Sequence, residues 1–153
     1  MASSVSERNL LSVIKSHYSD AVSQKRFDWL GNQSLDIYIP SKNVAIEYQG
    51  EQHYKPVHIY GGKKGFRQQQ RFDKKKINLC KKHGVNLYYF TFVEDAPNKL
   101  HGKVMYKNTR KLLRSIKYPW LKWTKFIIEG IFWLIVIPVS YTHLRAHETA
   151  ANL

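Results

Sequence analysis

The sequence predicts an α/β protein with a mixed sheet, and three observations carry that prediction. Leu10, Leu11, Ile14 and Tyr18 recur near helical spacing; two alternating apolar runs flank the turn-forming Pro40-Ser-Lys-Asn43; and a helical stretch links the second run to a later apolar strand. A hairpin makes an antiparallel strand pair, and a strand–helix–strand crossover makes a parallel one. Both kinds of pairing therefore meet in one sheet.

The elements follow in order. Residues 4–18 predict an amphipathic helix, with Ser4-Val-Ser-Glu7 in capping-box spacing at its start. A short strand is expected at Arg26–Leu30, then the hairpin strands Leu35–Ile39 and Val44–Gln49. After Gly50 an aromatic, glycine-containing loop leads into a helix from about Phe66 to His83, closed by Gly84 at C′. Val85–Phe92 is apolar on both faces, as an interior strand should be. Lys99–Lys117 reads as a second, strongly basic helix with Leu112, Leu113 and Ile116 inward.

The chain has 153 residues, of which 43% are hydrophobic and 24% charged, enough for one domain with a real core and too apolar for a disordered chain. Its single cysteine, Cys80, excludes a disulfide framework and a cysteine-rich zinc site and suits a reducing compartment. The start, MASSVSERNLL, lacks the layout of a secretory signal, so a cytoplasmic location is expected. Net charge is +14, which favours a polyanionic partner, nucleic acid or an anionic membrane. Residues 1–54 carry 5 basic and 6 acidic side chains, whereas residues 55–125 carry 19 and 3. An acid-bearing segment thus precedes a cationic one.

Near the end, Val139 to Thr149 resembles the translation of a sequencing adapter over eleven residues. The expectation is an artefactual tail at 139–153, with the natural reading frame truncated near residue 138. The run 126–138 before it is apolar apart from Glu129 and Gly130 and follows Lys117, Lys122 and Lys125. It reads either as a clipped membrane helix with a positive flank or as a helix packed on the domain. The domain plan is therefore a core at 1–98, a basic helix at 99–118, the apolar segment at 119–138 and the tail.

If Pro40–Asn43 is the whole hairpin loop, Ile39 faces Val44, Ile37 faces Ile46 and Leu35 faces Tyr48 on an apolar face. The other face then sets Asp36 opposite Glu47, with Gln49 two residues along. Like charges directly opposed on strands are unfavourable, and a divalent cation gives a reason for them, because Mg²⁺ takes one or two carboxylates and keeps several waters. The ordinary alternative is a slipped register, or acids turned to solvent with basic partners. On the crossover helix, Phe66, Gln70, Asp73, Ile77 and Cys80 share a stripe that turns Asp73 toward the sheet. The ordinary reading of Asp73 is a rim aspartate paired with Lys76, Arg71 or Lys74.

Five ordered blocks carry a family resemblance: Leu35-Asp-Ile-Tyr-Ile-Pro40, Ala45-Ile-Glu-Tyr-Gln-Gly-Glu-Gln-His-Tyr54, Gly61-Gly62, Arg71-Phe-Asp-Lys-Lys-Lys76 and Cys80-Lys-Lys-His-Gly-Val85. Together, over roughly residues 4–93, they resemble the PD-(D/E)xK nuclease superfamily, in the branch of very short patch repair and phage homing-type endonucleases. The resemblance implies a restriction-endonuclease-like αβββαβ core with a mixed sheet flanked by helices, followed here by the basic helix. It implies a Mg²⁺-dependent DNA endonuclease, with Mn²⁺ as a substitute, in a bacterial or phage-like context. Asp36 and Glu47 would hold the metal. Glu7 matches the position of an extra acid on the first helix, although the capping box accounts for it equally well.

Gln49 departs from the superfamily pattern, standing where lysine is usual. Glutamine hydrogen-bonds but cannot offset developing negative charge, so Lys76 is the candidate cation. His53 matches the branch histidine and is the candidate general acid or base, against an ordinary role as a loop histidine. Asp73 completes the candidate catalytic set. For DNA contact the expected residues are Lys63, Lys64, Arg67, Arg71, Lys74 and Lys75 around the crossover helix and Lys107, Arg110, Lys111 and Arg114 on the later one. The competing reading is a nuclease-fold DNA-binding module with a weak or inactive site, membrane-associated through residues 126–138 if that run spans a bilayer. Homodimer formation is left open.

Overall fold

In the computed structural model, residues 5–119 are described. The helix α1 (Val5–Lys15) is followed by β1 (Val22–Lys25), β2 (Leu35–Ile39), β3 (Val44–Tyr48), α2 (Gly62–Lys82), β4 (Asn86–Phe90), β5 (Lys99–Leu100), β6 (Lys103–Tyr106) and α3 (Thr109–Lys117). The strands form one six-stranded sheet in the order β1-β2-β3-β4-β6-β5. The fold is α/β and the sheet is mixed: β1, β2 and β3 pair antiparallel, β3–β4 and β4–β6 pair parallel, and β5–β6 closes the far edge antiparallel.

Alternation along the strands divides the core in two. Ile37, Ile39, Val44, Ile46, Tyr88 and Phe90 meet Leu10 and Ile14 of α1 and Leu112 and Ile116 of α3. From the other face Ala45, Leu87, Tyr89 and Met105 meet Cys80 and Ile77 of α2. Each fully buried aliphatic side chain stabilises by about 1.5–3 kcal/mol before chain entropy is counted. The helices α1 and α3 therefore cover one face and α2 the other, a layering that puts the two basic helices on opposite sides of the sheet.

The hairpin pairs as Ile39↔Val44, Tyr38↔Ala45 and Ile37↔Ile46, the register expected from a four-residue loop. Leu35 is a correction: it leaves the Ile37 face and packs with Leu30, Ala45 and Cys80 on the α2 side, because the ladder stops at Ile37. The expected strand at Arg26–Leu30 is also corrected. The strand lies earlier, at β1, and Asp28–Leu30 is a 3₁₀ turn. Phe27 stacks on Trp29 at 5.0 Å and Trp29 on His83 at 4.4 Å, so these rings bind the turn to the end of α2 rather than pairing a strand.

Further boundaries differ: α1 stops at Lys15 rather than residue 18, β3 at Tyr48 rather than Gln49, and β4 runs Asn86–Phe90 inside the expected Val85–Phe92. The helix α2 begins at Gly62, four residues before Phe66. Residues 99–106 form the β5–β6 hairpin instead of the first turns of a basic helix, with His101 and Gly102 at φ of 48° and 76° in its turn. Left-handed backbone there is incompatible with helix, and Met105 and Tyr106 gain partners in β4. Only 109–117 is helical. The described residues through Ile116 form one compact unit. The Ser4 end of the capping box, the apolar run 126–138 and the tail 139–153 lie outside the described residues. Among the described residues no helix is long and apolar enough to cross a membrane.

Candidate active site

Beyond Ile37↔Ile46 the β2–β3 ladder gives way to side chains. The Asp36 amide donates to Glu47 Oε1 at 3.2 Å, and the Tyr48 amide donates to Asp36 Oδ2 at 2.9 Å. Each carboxylate thus holds the other strand's backbone, and the two acids stay neighbours at the open end of the pair. On the opposite flank Gln24 takes a left-handed φ of 49° between the pairs Ser23↔Ile37 and Lys25↔Leu35, so β1 also steps away beside Asp36. Here the sheet offers oxygen atoms rather than ladder bonds.

The helix α2 supplies the cation. Lys76 Nζ donates to Glu47 Oε2 and, at 2.8 Å, to the Ser34 carbonyl. Glu47 is 5% exposed and the Lys76 side chain, reaching from α2 to the sheet, is 13% exposed, so the pair is largely desolvated. Burial, followed by the nearby Glu47 charge, raises Asp36 to about 7, against the opposing pull of Lys76 and the Tyr48 amide. Glu47 is likewise pushed up by burial despite Lys76. Burial would lower Lys76, but Glu47 and Asp36 outweigh it and hold the ammonium above its ordinary range. Glu7 on α1 adds negative potential at Asp36.

A second cluster lies beside the first. His53, from the 3₁₀ turn Glu51–His53, meets Asp73 Oδ2 through Nδ1 at 2.9 Å, and Gln69 Nε2 donates to Asp73 Oδ1 at 2.9 Å. Burial alone would raise Asp73; the hydrogen bond and charge of His53, with Gln69 and His101, bring it below its ordinary value instead. Among the described residues Asp73 pairs with His53 and His101 rather than with Lys76, Arg71 or Lys74, and Lys76 is engaged by Glu47. An ionised Asp73 accepting Nδ1–H holds the imidazole in the tautomer that leaves Nε2 to exchange a proton.

Gln49 is 1% exposed; its amide nitrogen on the backbone donates to Phe90 O at 2.8 Å, and its side-chain Oε1 has no hydrogen-bond partner among the described residues. Among those residues no group of three or more His, Cys, Asp or Glu gathers as a metal site. A cation at this site would rest on two carboxylates. That donor set, hard and partly wet because Asp36 is only half-buried, suits Mg²⁺, which keeps most of its waters. Cys80 is buried, and burial pushes its thiol up to about 11, which disfavours the reactive thiolate.

No family model and no solved structure matches the chain. Sequence similarity does reach two curated proteins. Both relatives are viral. Over 75 residues the chain is 36% identical to "Uncharacterized protein 307L" of Invertebrate iridescent virus 6, a stretch that covers 48% of this chain and 38% of that protein. Over 55 residues it is 44% identical to "Uncharacterized protein 094L" of Frog virus 3 (isolate Goorha), covering 35% of this chain and 36% of that protein. The chain thus spans less than two-fifths of the length of either curated relative.

The basic residues expected at DNA divide between the two sheet faces. Lys63, Lys64, Arg67, Arg71, Lys74 and Lys75 are exposed along α2, on the side that carries Lys76 and Asp73. Arg110, Lys111 and Arg114 are exposed on α3, across the sheet. Lys107 lies before α3 and donates to the Glu94 carbonyl at 2.6 Å. Sequence reading missed Gln69 and His101. Gln69 stands four residues before Asp73, a spacing at which helical Gln–Asp pairs bond. His101, with Nε2 3.6 Å from Asp73 Oδ2, arrives through long-range pairing of β6 with β4, for which no local signal exists.

Proposed function

We propose that this chain is a divalent-metal-dependent DNA endonuclease of the PD-(D/E)xK type. The observation that carries the reading is the opened β2–β3 end, where Asp36 and Glu47 sit together under Lys76. Two like charges held together, one buried and one half-buried, are costly for stability alone, and their arrangement suits a cation and a phosphate. Lys76 takes from the helix the role that Gln49 cannot perform, placing positive charge where the phosphorane becomes more negative. Mg²⁺, when bound, supplies polarisation of the phosphate and an acidified water.

His53 then exchanges a proton through Nε2, and Asp73 positions it by holding Nδ1. The exposed α2 lysines and arginines neutralise flanking phosphates. The second reading, a DNA-binding module without chemistry, is favoured by Gln49 and by the engagement of both Glu47 oxygens with protein donors.

Supercoiled plasmid separates the two. The full chain with Mg²⁺ or Mn²⁺ is expected to nick or linearise it, and Asp36→Asn, Glu47→Gln and Lys76→Ala are each expected to slow cutting on the order of 100-fold or more. Salt-sensitive binding with no cutting under either metal would leave the binding module as the correct reading.

A further inference from the structure

Next to the His53–Asp73 pair lies a cavity of about 210 Å³, formed where the loop before α2 folds back on the helix. Tyr60, Phe66 and Phe72 give it three aromatic rings, and Gln52, Gln68 and Gln69 give it three amides; among the described residues no charged side chain lines it. Tyr60 and Phe72 are 56% and 44% exposed, large rings left at the surface. Gly65 builds one wall, since a Cβ there would lie 1.8 Å from the Tyr60 carbonyl oxygen; only glycine lets helix and loop approach so closely.

We propose that this cavity receives a single unstacked nucleobase, which deepens the nuclease reading and rests on it. Rings that stack and amides that both donate and accept are what a base edge and face require. The volume lies below the roughly 300–1,000 Å³ of sites for drug-sized molecules, which limits the occupant to one ring system. A phosphate is disfavoured inside, where none of the described lining residues is cationic. Outside, Lys63, Lys64, Arg67 and Arg71 alternate with the lining residues along α2 and are exposed to take the flanking backbone. A paired base is stacked between neighbours and cannot enter, so the preferred substrate carries an extrahelical or single-stranded base near the cut. Gln69 both lines the cavity and bonds Asp73, so a base held by Gln69 bears directly on the residue that positions His53.

The test uses the full chain carrying Asp36→Asn, without divalent metal, and two duplexes of equal length, one fully paired and one with a single extrahelical 2-aminopurine. The bulged duplex should bind at least about fivefold tighter, and its 2-aminopurine emission should be quenched on binding by ring stacking. Phe72→Ala and Tyr60→Ala, each checked by thermal melting, should abolish both effects while leaving affinity for paired DNA within about twofold. Equal affinities, or quenching unchanged in both variants, would overturn the proposal. Metal-dependent plasmid cutting without bulge preference overturns the cavity's role and spares the nuclease reading. Bulge preference and quenching in a chain that cuts under no metal supports the cavity and sinks the nuclease reading.

Discussion

Burial and the neighbouring Glu47 raise Asp36 to about 7, with Glu7 adding to the effect and Lys76 and the Tyr48 amide opposing it. The folded state therefore holds this proton more tightly than the unfolded chain, and stability falls as pH rises from the ordinary value of 3.8 toward 7. Asp36→Asn keeps an acceptor for the Tyr48 amide and removes the charge. In EDTA at pH 8 it should raise the melting temperature by about 2–5 °C, with no gain at pH 4; a lower melting temperature at pH 8 would contradict the electrostatic description. Asp73 behaves oppositely. Burial is outweighed by His53, Gln69 and His101, its folded value is depressed, and the stability it contributes is present above 3.8 and lost as pH falls through that lower value. Asp73→Asn should cost about 1–3 kcal/mol at pH 7, and urea midpoints of variant and parent should converge as the pH falls below 3.8.

At the scale of elements, the start of α2 depends on one hydrogen atom. Gly65 N donates to the Gly61 carbonyl at 3.1 Å while the Tyr60 carbonyl passes where a side chain would begin. Gly65→Ala must move backbone, and urea unfolding should show a loss of about 1–3 kcal/mol; a change under about 0.5 kcal/mol would mean that the loop is far looser. The hairpin end is the other decisive element. A continuous ladder at Asp36 and Glu47 would satisfy the backbone with backbone and leave the two carboxylates without these amide donors. The open ladder uses them as acceptors, which keeps them together and turns Leu35 to the other core.

For the whole molecule, opposite-face placement of α2 and α3 divides the positive charge of the described residues into two surfaces. Only the α2 surface adjoins the acidic pair. Replacing Lys63, Lys64 and Arg67 together by alanine should flatten the dependence of log affinity on log salt by about 2–3, near 0.9 for each phosphate left without a cation. The Arg110, Lys111 and Arg114 triple should change plasmid cutting much less. Anisotropy titrations from about 50 to 200 mM salt measure the first and gel assays the second; equal losses in both triples would show that DNA wraps both faces.

The α-β-β-β-α-β order, the hairpin register and the Asp36–Glu47 neighbourhood are legible because period-2 and period-3.6 patterns and a proline-led turn are local signals. The same locality explains the misreadings. Arg26–Leu30 alternates like a strand, yet Phe27 and Trp29 answer to His83, more than fifty residues away. Lys99–Tyr106 carries a helix-compatible pattern, yet β4 offers it a parallel edge. Sequence by itself determined which residues carry charge, where most elements run and which two acids come together beside the hairpin. Tertiary structure alone decided that Lys76 reaches Glu47, that His53 and Asp73 meet across twenty residues, and that the basic helices part to opposite faces. Those outcomes depend on packing between distant segments, which no local period encodes.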